Sequence, residues 1–327
     1  MKSELSFDLE ELEQAAQLVH GIVAPTPLFA WPKLRARSGC KVRVKHENHT
    51  ATGAFKVRGG LVYLHRLRQT QPSVNGVISA TRGNHGQSIA FAAKRTGLSA
   101  TIYLPHGNSP DQNSSIAAFG AEVVEFGRDF DEARREAQRV AASRGLHFVP
   151  SYHRDLVAGV ACYALEVFRS HPTPDAVYVG VGMGSGIAGL IAVRDALRLK
   201  TDIIGVCASA APATALSFAA GKAVRTDTAL TFADGVATRD PNPEAIEAIC
   251  RGAARIVQVS EDEIASAMRC YFDDTHQIVE GAGAVPLAAL LQERQRMQDK
   301  EIVLIVSGGN IERERFLQVL AGSTPHV

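Results

Sequence analysis

The sequence predicts an α/β protein built on largely parallel sheets. Short β-branched runs alternate with longer helical patterns over most of its 327 residues. Glycine-rich turns stand where a strand would hand over to a helix. The composition, 46% hydrophobic and 21% charged, is that of a soluble globular chain able to bury a sizeable core. Length alone allows two domains or one large α/β unit.

Strand-like runs cover residues 74–80, 100–104, 122–126, 148–151, 176–181, 202–208, 255–259 and 301–306. Helical periodicity fills segments between them, including 87–96, 129–144, 156–171 and 187–200. Such alternation reads as βαβ units. Right-handed crossovers put the strand C-termini on one side, where ligands of such sheets bind. No internal repeat or low-complexity linker breaks the pattern. No long tail follows the last helical segment, so no appended regulatory domain is expected.

A formal net charge of +1 argues against nucleic acid or a membrane surface as partner. No run of 18 apolar residues occurs, so no transmembrane helix is expected. The first 19 residues form an acidic amphipathic pattern, unlike the basic start and apolar stretch of a signal peptide, and a cytoplasmic location is expected. Cys40, Cys162, Cys207, Cys250 and Cys270 are scattered, odd in number and free of any CxxC spacing. They read as reduced, buried or half-buried thiols, not as a disulfide framework or zinc site.

Three turns carry more glycine and polar groups than packing requires. They are Thr81-Arg82-Gly83-Asn84-His85-Gly86, Gly180-Val181-Gly182-Met183-Gly184-Ser185-Gly186, and Ser307-Gly308-Gly309-Asn310. In the second, the glycines let backbone N–H groups converge, and the following helix adds its positive dipole end, which suits a phosphate. A purely steric strand end is an equal reading of that segment alone. A dinucleotide turn is a third, although its acidic residue about 20 positions on is matched only loosely by Asp202. Lys56 lies between Phe55 and Val57, just after the turn at Thr52-Gly53. Apolar neighbours can desolvate an amine, lower its pKa and make it nucleophilic. An ordinary lysine would instead extend to solvent.

The segment Thr52-Gly53-Ala54-Phe55-Lys56-Val57-Arg58-Gly59 resembles the lysine motif of the fold-type II pyridoxal-phosphate enzymes, in the branch of threonine/serine dehydratases and serine racemases. Gly83-Asn84-His85-Gly86-Gln87, the loop Gly182–Gly186 and Ser307-Gly308-Gly309-Asn310 follow in the matching order. The resemblance runs from Pro25-Thr26-Pro27-Leu28 to Asn310. It implies two open, largely parallel twisted sheets with helices on both faces, the tryptophan synthase β-like fold. A large cofactor-binding domain would comprise residues 1–52 and 148–327. A small domain, residues 53–147, would carry the asparagine loop, with Lys56 at the junction.

The resemblance also implies pyridoxal 5'-phosphate as cofactor, held by Lys56 as a Schiff base, with Lys56 later serving as acid/base. Phe55 would pack near the cofactor and Asn84 would hydrogen-bond its phenolic oxygen. The backbone of Gly182, Met183, Gly184, Ser185 and Gly186 would hold the phosphate, and Ser307 would meet the pyridine nitrogen. Thr81, Arg82, Gly83, Asn84 and His85 would receive the substrate carboxylate. A serine at the pyridine nitrogen cannot supply the full charge of an acid. The weaker electron sink then favours prompt loss of a β leaving group once the Cα proton is removed. The bound phosphate would protonate the departing hydroxyl, and closure of the small domain would exclude water. The expected activity is that of an ammonia-lyase (dehydratase) on a threonine- or serine-like β-hydroxy amino acid, with phenylserine and hydroxyaspartate as alternatives. Members of the family are often homodimers.

Two departures stand out. Racemising members carry a serine directly before the Gly-Asn-His, where this chain has Arg82. A guanidinium is a poor proton shuttle, which counts against a serine-type racemase. Arg82 would instead clamp a carboxylate, or turn away to a neighbouring acid. Many relatives place carboxylates for a divalent cation shortly after the strand matching 202–208. Here that stretch reads Cys207-Ala208-Ser209-Ala210-Ala211-Pro212-Ala213, so no metal is expected. Glu280 resembles a position near the cofactor ring, with helix capping an equal reading. Asp234 reads as a structural turn residue. His85 reads as a substrate contact or as a buried, hydrogen-bonded histidine. A non-catalytic cofactor-binding protein is the remaining rival, opposed by Lys56, Asn84 and Ser307 all being intact.

Overall fold

A computed structural model describes residues 6–326. The first five residues of the amphipathic N-terminal pattern lie outside the described residues. The remainder forms the helix Leu9–His20, opened by an Asp8 side chain that accepts from the Glu11 amide at 2.8 Å.

In chain order the strands are β1 (Leu28–Ala30), β2 (Lys41–His46), β3 (Gly76–Ala80), β4 (Ser99–Leu104), β5 (Glu122–Glu125), β6 (His147–Phe148), β7 (Ala176–Gly180), β8 (Asp202–Ala208), β9 (Arg255–Val259) and β10 (Glu301–Val306). One sheet has the order β1-β2-β10-β7-β8-β9, the other β5-β4-β3-β6. Every pairing is parallel except β1 with β2. All eight strand-like runs of the sequence appear as strands. The run at 148–151 keeps only Phe148, in the two-residue strand His147–Phe148, because Pro150 has no N–H to offer a ladder.

β1 and β2 escaped the sequence reading for a physical reason. β1 has three residues, none of them fully buried. β2, Lys41-Val-Arg-Val-Lys-His, is too charged to read as the inner strand it is. Its Lys45 is buried because it pairs with Glu166 and donates to the Thr26 carbonyl at 2.7 Å. Arg58, also buried, donates to Glu47 at 2.7 and 3.0 Å and to Glu166 at 2.6 Å. This ion-pair cluster ties β2 and the helix Arg154–Ser170 to the helix Lys56–Thr70. His20, Cys162 and Glu166 lie close enough to resemble a metal site. Glu166 is already held by Arg58 and Lys45, so the group belongs to that network. Cys40, Cys162, Cys207 and Cys270 are buried free thiols and Cys250 is half-buried. Among the described residues no helix is long and apolar enough to cross a membrane.

Candidate active site

The lysine segment is fixed from both sides. Lys56 is the first residue of the helix Lys56–Thr70. The Phe55 amide donates to the Ser307 carbonyl, and the Gly309 amide to the Gly53 carbonyl, each at 3.0 Å. These bonds pin the turn before Lys56 to the loop after β10. Behind it, the helix meets Arg154–Ser170 so closely that a Cβ on Gly159 would lie 2.3 Å from the Arg58 carbonyl oxygen. The Ser88 hydroxyl donates to the Lys56 carbonyl at 2.6 Å. The lysine thus sits on a backbone with little room to shift.

Two adjoining cavities share Lys56, Asn84, Met183, Gly235, Glu280 and Ala282 in their walls. The larger, about 480 Å³, lies between the two sheets' halves of the molecule, bordered by Thr81–His85 on one side and by Glu280 and Asn310 on the other. The smaller runs from Lys56 and Phe55 to Gly182–Gly186 and Ser307. All three glycine-rich turns follow parallel strands, β3, β7 and β10, and their C-terminal ends bring them together.

Charge in the shared wall is finely set. Lys56 keeps some access to the cavity, yet protein packs around its amine. Burial lowers its pKa to about 8, with the Glu280 carboxylate opposing the shift. Its Nζ lies 4.9 Å from the Phe55 ring centre, and that ring meets Tyr163 edge-on at 6.0 Å. Glu280 stands at the N-cap of the helix Gly281–Gln292, but its side chain does not cap that helix. It accepts instead from the Asn84 amide at 2.9 and 3.1 Å. The Asn84 carbonyl oxygen in turn accepts from Asn310 at 2.7 Å. Burial raises the Glu280 carboxyl to about 7, against the Asn84 hydrogen bond.

Around the smaller cavity the backbone is bare. The helix Ser185–Ala196 starts at Gly184, with φ 96° and no side-chain cap. A Cβ on Gly182 would lie 2.2 Å from the Gly235 carbonyl oxygen. The Tyr163 hydroxyl donates to the Gly186 carbonyl at 2.9 Å and steadies the loop.

The loop after β3 presents different groups. The Thr81 hydroxyl accepts from the Gly83 amide at 3.0 Å. His85 is buried, and its Nε2 has no partner. The expectation of a hydrogen-bonded histidine is therefore not met at that nitrogen. Burial, then Lys56, push the His85 pKa down to about 3, which keeps the ring neutral. Arg82 is half-exposed at the larger cavity, 3.8 Å from Asp234.

Residues 19–308 match the family described as "Pyridoxal-phosphate dependent enzyme". The chain belongs to that family. Among its relatives, the L-threonine ammonia-lyase of Geobacter sulfurreducens is 35% identical over 302 residues, covering 92% of this chain and 75% of that protein. The L-threo-3-hydroxyaspartate ammonia-lyase of a Pseudomonas species is 32% identical over 310 residues, covering 94% and 97%. The solved structure of the processed form of threonine deaminase isoform 2 from Solanum lycopersicum has a TM-score of 0.88 at 29% identity, covering 97% of this chain and 95% of that one. The two-sheet, largely parallel fold is the family's.

The cofactor of a pyridoxal-phosphate dependent enzyme is an aldehyde with a phosphate arm, and the residues present fit it. A partly desolvated amine faces the cavities. A helix N-terminus without a side-chain cap meets a loop in which a Cβ would strike backbone. Phe55, Lys56, Asn84, Met183, Ser185 and Ser307 line the space between. Three groups at this site escaped the sequence reading. Gln112 bridges the halves, donating to the Asn310 carbonyl at 3.0 Å and accepting from Gln87 at 2.8 Å. Tyr163 and Arg315 reach the site from a long helix and the C-terminal segment. None of the three stands in a motif, so only tertiary contact reveals them. Asp234, read as a structural turn residue, lines the larger cavity and pairs with Arg315 at 3.2 Å.

Glu280 gives a prediction that concerns the cofactor-free chain. Between its ordinary 4.5 and about 7, the folded chain holds a proton that the unfolded chain has lost. Stability conferred by this group is therefore present below pH 4.5 and is lost as pH rises to about 7. Glu280→Gln should remove that slope. Urea titrations are expected to show the variant losing about 3 kcal/mol less than the parent across this window. Parallel pH profiles for the two proteins would contradict it.

Proposed function

We propose that this enzyme is an ammonia-lyase (dehydratase) that converts a β-hydroxy amino acid to a 2-oxo acid and ammonia. The observation that carries the reading is the position of Lys56 in the wall common to both cavities, with a bare backbone cradle on one side and an open, polar-lined space on the other. The ammonia-lyase relatives support the same chemistry. Pyridoxal phosphate, when bound, supplies the electron sink that makes the Cα–H bond acidic.

The chain's own residues do the rest. Lys56, its pKa lowered to about 8, takes the Cα proton at Nζ near neutral pH. Loss of that proton and of the β-hydroxyl removes the elements of water and leaves an enamine. The enamine tautomerises to an imine, which takes up one water to give the 2-oxo acid and ammonia. The loop Thr81–His85 holds the α-carboxylate, through the uncapped start of the helix Asn84–Thr96 and the unpartnered His85 nitrogen. Asn84, fixed between Glu280 and Asn310, would orient the ring. Met183, Ser185 and the glycines Gly182, Gly184 and Gly186, which line the smaller cavity, would hold the phosphate, and Ser307 would face the ring nitrogen. Residues 53–147 act as the small domain over a large domain of 1–52 and 148–327. A cytoplasmic location, from the N-terminal sequence pattern, and a homodimer, from the resemblance alone, complete the reading.

Arg82 occupies the position before Gly83-Asn84, so no side-chain base is offered there for reprotonation of the opposite face. Incubation with a panel of β-hydroxy amino acids tests the reading. Ammonia release is the expected outcome. Appearance of the opposite enantiomer without ammonia would point to a racemase, and bound cofactor with no product to a binding protein. A further expectation is full activity in EDTA. After β8 the chain continues through Ser209, Ala210 and Ala211, which give a hard cation no carboxylate. Activity lost in EDTA and restored by Mg²⁺ would refute this.

A further inference from the structure

The following rests on the lyase reading and concerns the substrate of that site. Arg82 and Arg315 both line the larger cavity and both approach Asp234. Their bonding differs. Arg315 donates to Asp234 Oδ2 at 3.2 Å and also pairs with Glu312 at 3.1 Å. Each acid of the cluster is thus engaged by Arg315. Arg82 stands 3.8 Å from Asp234 Oδ1, beyond hydrogen-bond reach. Among the described residues its guanidinium donates no hydrogen bond, although it is placed two residues before Asn84 and half-exposed to the cavity.

An α-carboxylate does not need this arginine. The helix Asn84–Thr96 opens without a side-chain cap, so its first amides and positive dipole end face the cavity. The buried His85 Nε2, also in the cavity wall, lacks a partner. Those groups suffice for one carboxylate and leave the five N–H donors of Arg82 unassigned. With the carboxylate on that loop, the side chain of an amino acid would extend into the larger cavity that the loop borders. A methyl group there would leave the guanidinium unanswered, and closure would remove its water. A second carboxylate would satisfy it through paired N–H···O bonds.

We propose that Arg82 binds a distal carboxylate of the substrate, and that the enzyme acts on β-hydroxy amino acids with an acidic side chain. The holoenzyme is assayed for ammonia release from 3-hydroxyaspartate, serine and threonine, with Arg82→Gln and Arg82→Lys variants alongside. The parent is expected to favour 3-hydroxyaspartate over threonine in kcat/KM by about tenfold or more. Arg82→Gln is expected to lower the ratio of kcat/KM for 3-hydroxyaspartate to that for serine by ~30-fold, chiefly through KM, with Arg82→Lys recovering part of it. The visible spectrum of the bound cofactor should stay unchanged in both variants, which reports an intact fold. Equal losses on all three substrates would assign Arg82 to the α-carboxylate and overturn the proposal. A parent enzyme that prefers threonine would overturn it as well. No ammonia from any of the three would overturn the lyase reading, and this assignment with it.

Discussion

Replacing Lys56 by alanine is expected to lower kcat by about 10⁴-fold or more, the largest effect of any single substitution in this chain. The amine lies in the wall common to both cavities, and among the described residues no other lysine lines either of them. Its desolvation is what makes it a base near neutral pH. Asn84 and Glu280 face the same space, but they are bonded to each other. His85 is neutral and a weak base, with its pKa pushed down to about 3. The variant should fold, because burial disfavours the charged amine and alanine removes that penalty. Ammonia release in a single turnover, and the visible absorbance of added cofactor, check both parts. The covalent band should vanish together with the activity. A variant that kept a hundredth of the parental kcat would show that another group takes the Cα proton.

The second large effect is expected at Gly182. An added Cβ there would lie 2.2 Å from the Gly235 carbonyl oxygen, a backbone atom with no rotamer through which to yield. Either the loop after β7 or the turn at Gly235 must move. Both turns line the smaller cavity, so the cradle moves with them. Gly182→Ala is expected to weaken cofactor binding by about 100-fold, since several charge-assisted N–H···O bonds lose alignment together. Gly21→Ala provides the control, because a Cβ there meets nothing closer than 3.5 Å. Equilibrium titration of the cofactor-free proteins reads the difference. An unchanged affinity in Gly182→Ala would remove this loop from the phosphate site.

Much of the architecture was legible because the physics behind it is local. The eight runs from 74–80 to 301–306 are apolar and β-branched and end at glycine or polar turns, and each became a strand. Lys56, Asn84, the loop 182–186 and Ser307 stand in compact motifs, and all of them border one site. What stayed hidden depends on partners far along the chain. Lys45 in β2 looks like a surface residue until Glu166, 121 positions away, is seen beside it. Glu280 reads equally as a group near the cofactor ring and as a helix cap, and only the turn of its side chain to Asn84, 196 positions earlier, separates the two. His85 reads as a substrate contact or as a buried, hydrogen-bonded histidine, and the structure leaves its Nε2 without a partner. Arg82 stands out in the sequence as a departure from a motif. Its missing hydrogen bonds appear only once Arg315 is seen to engage Asp234.

The central claim is that Lys56 drives loss of the β-hydroxyl with release of ammonia. The most direct test is a mass balance on the holoenzyme with a β-hydroxy amino acid, measuring substrate, ammonia, 2-oxo acid and enantiomer together. Ammonia and 2-oxo acid are expected to rise in equal amounts, each equal to the substrate lost, and neither is expected to appear with Lys56→Ala. Substrate converted to its enantiomer with no ammonia, or bound cofactor with no product at all, would contradict it.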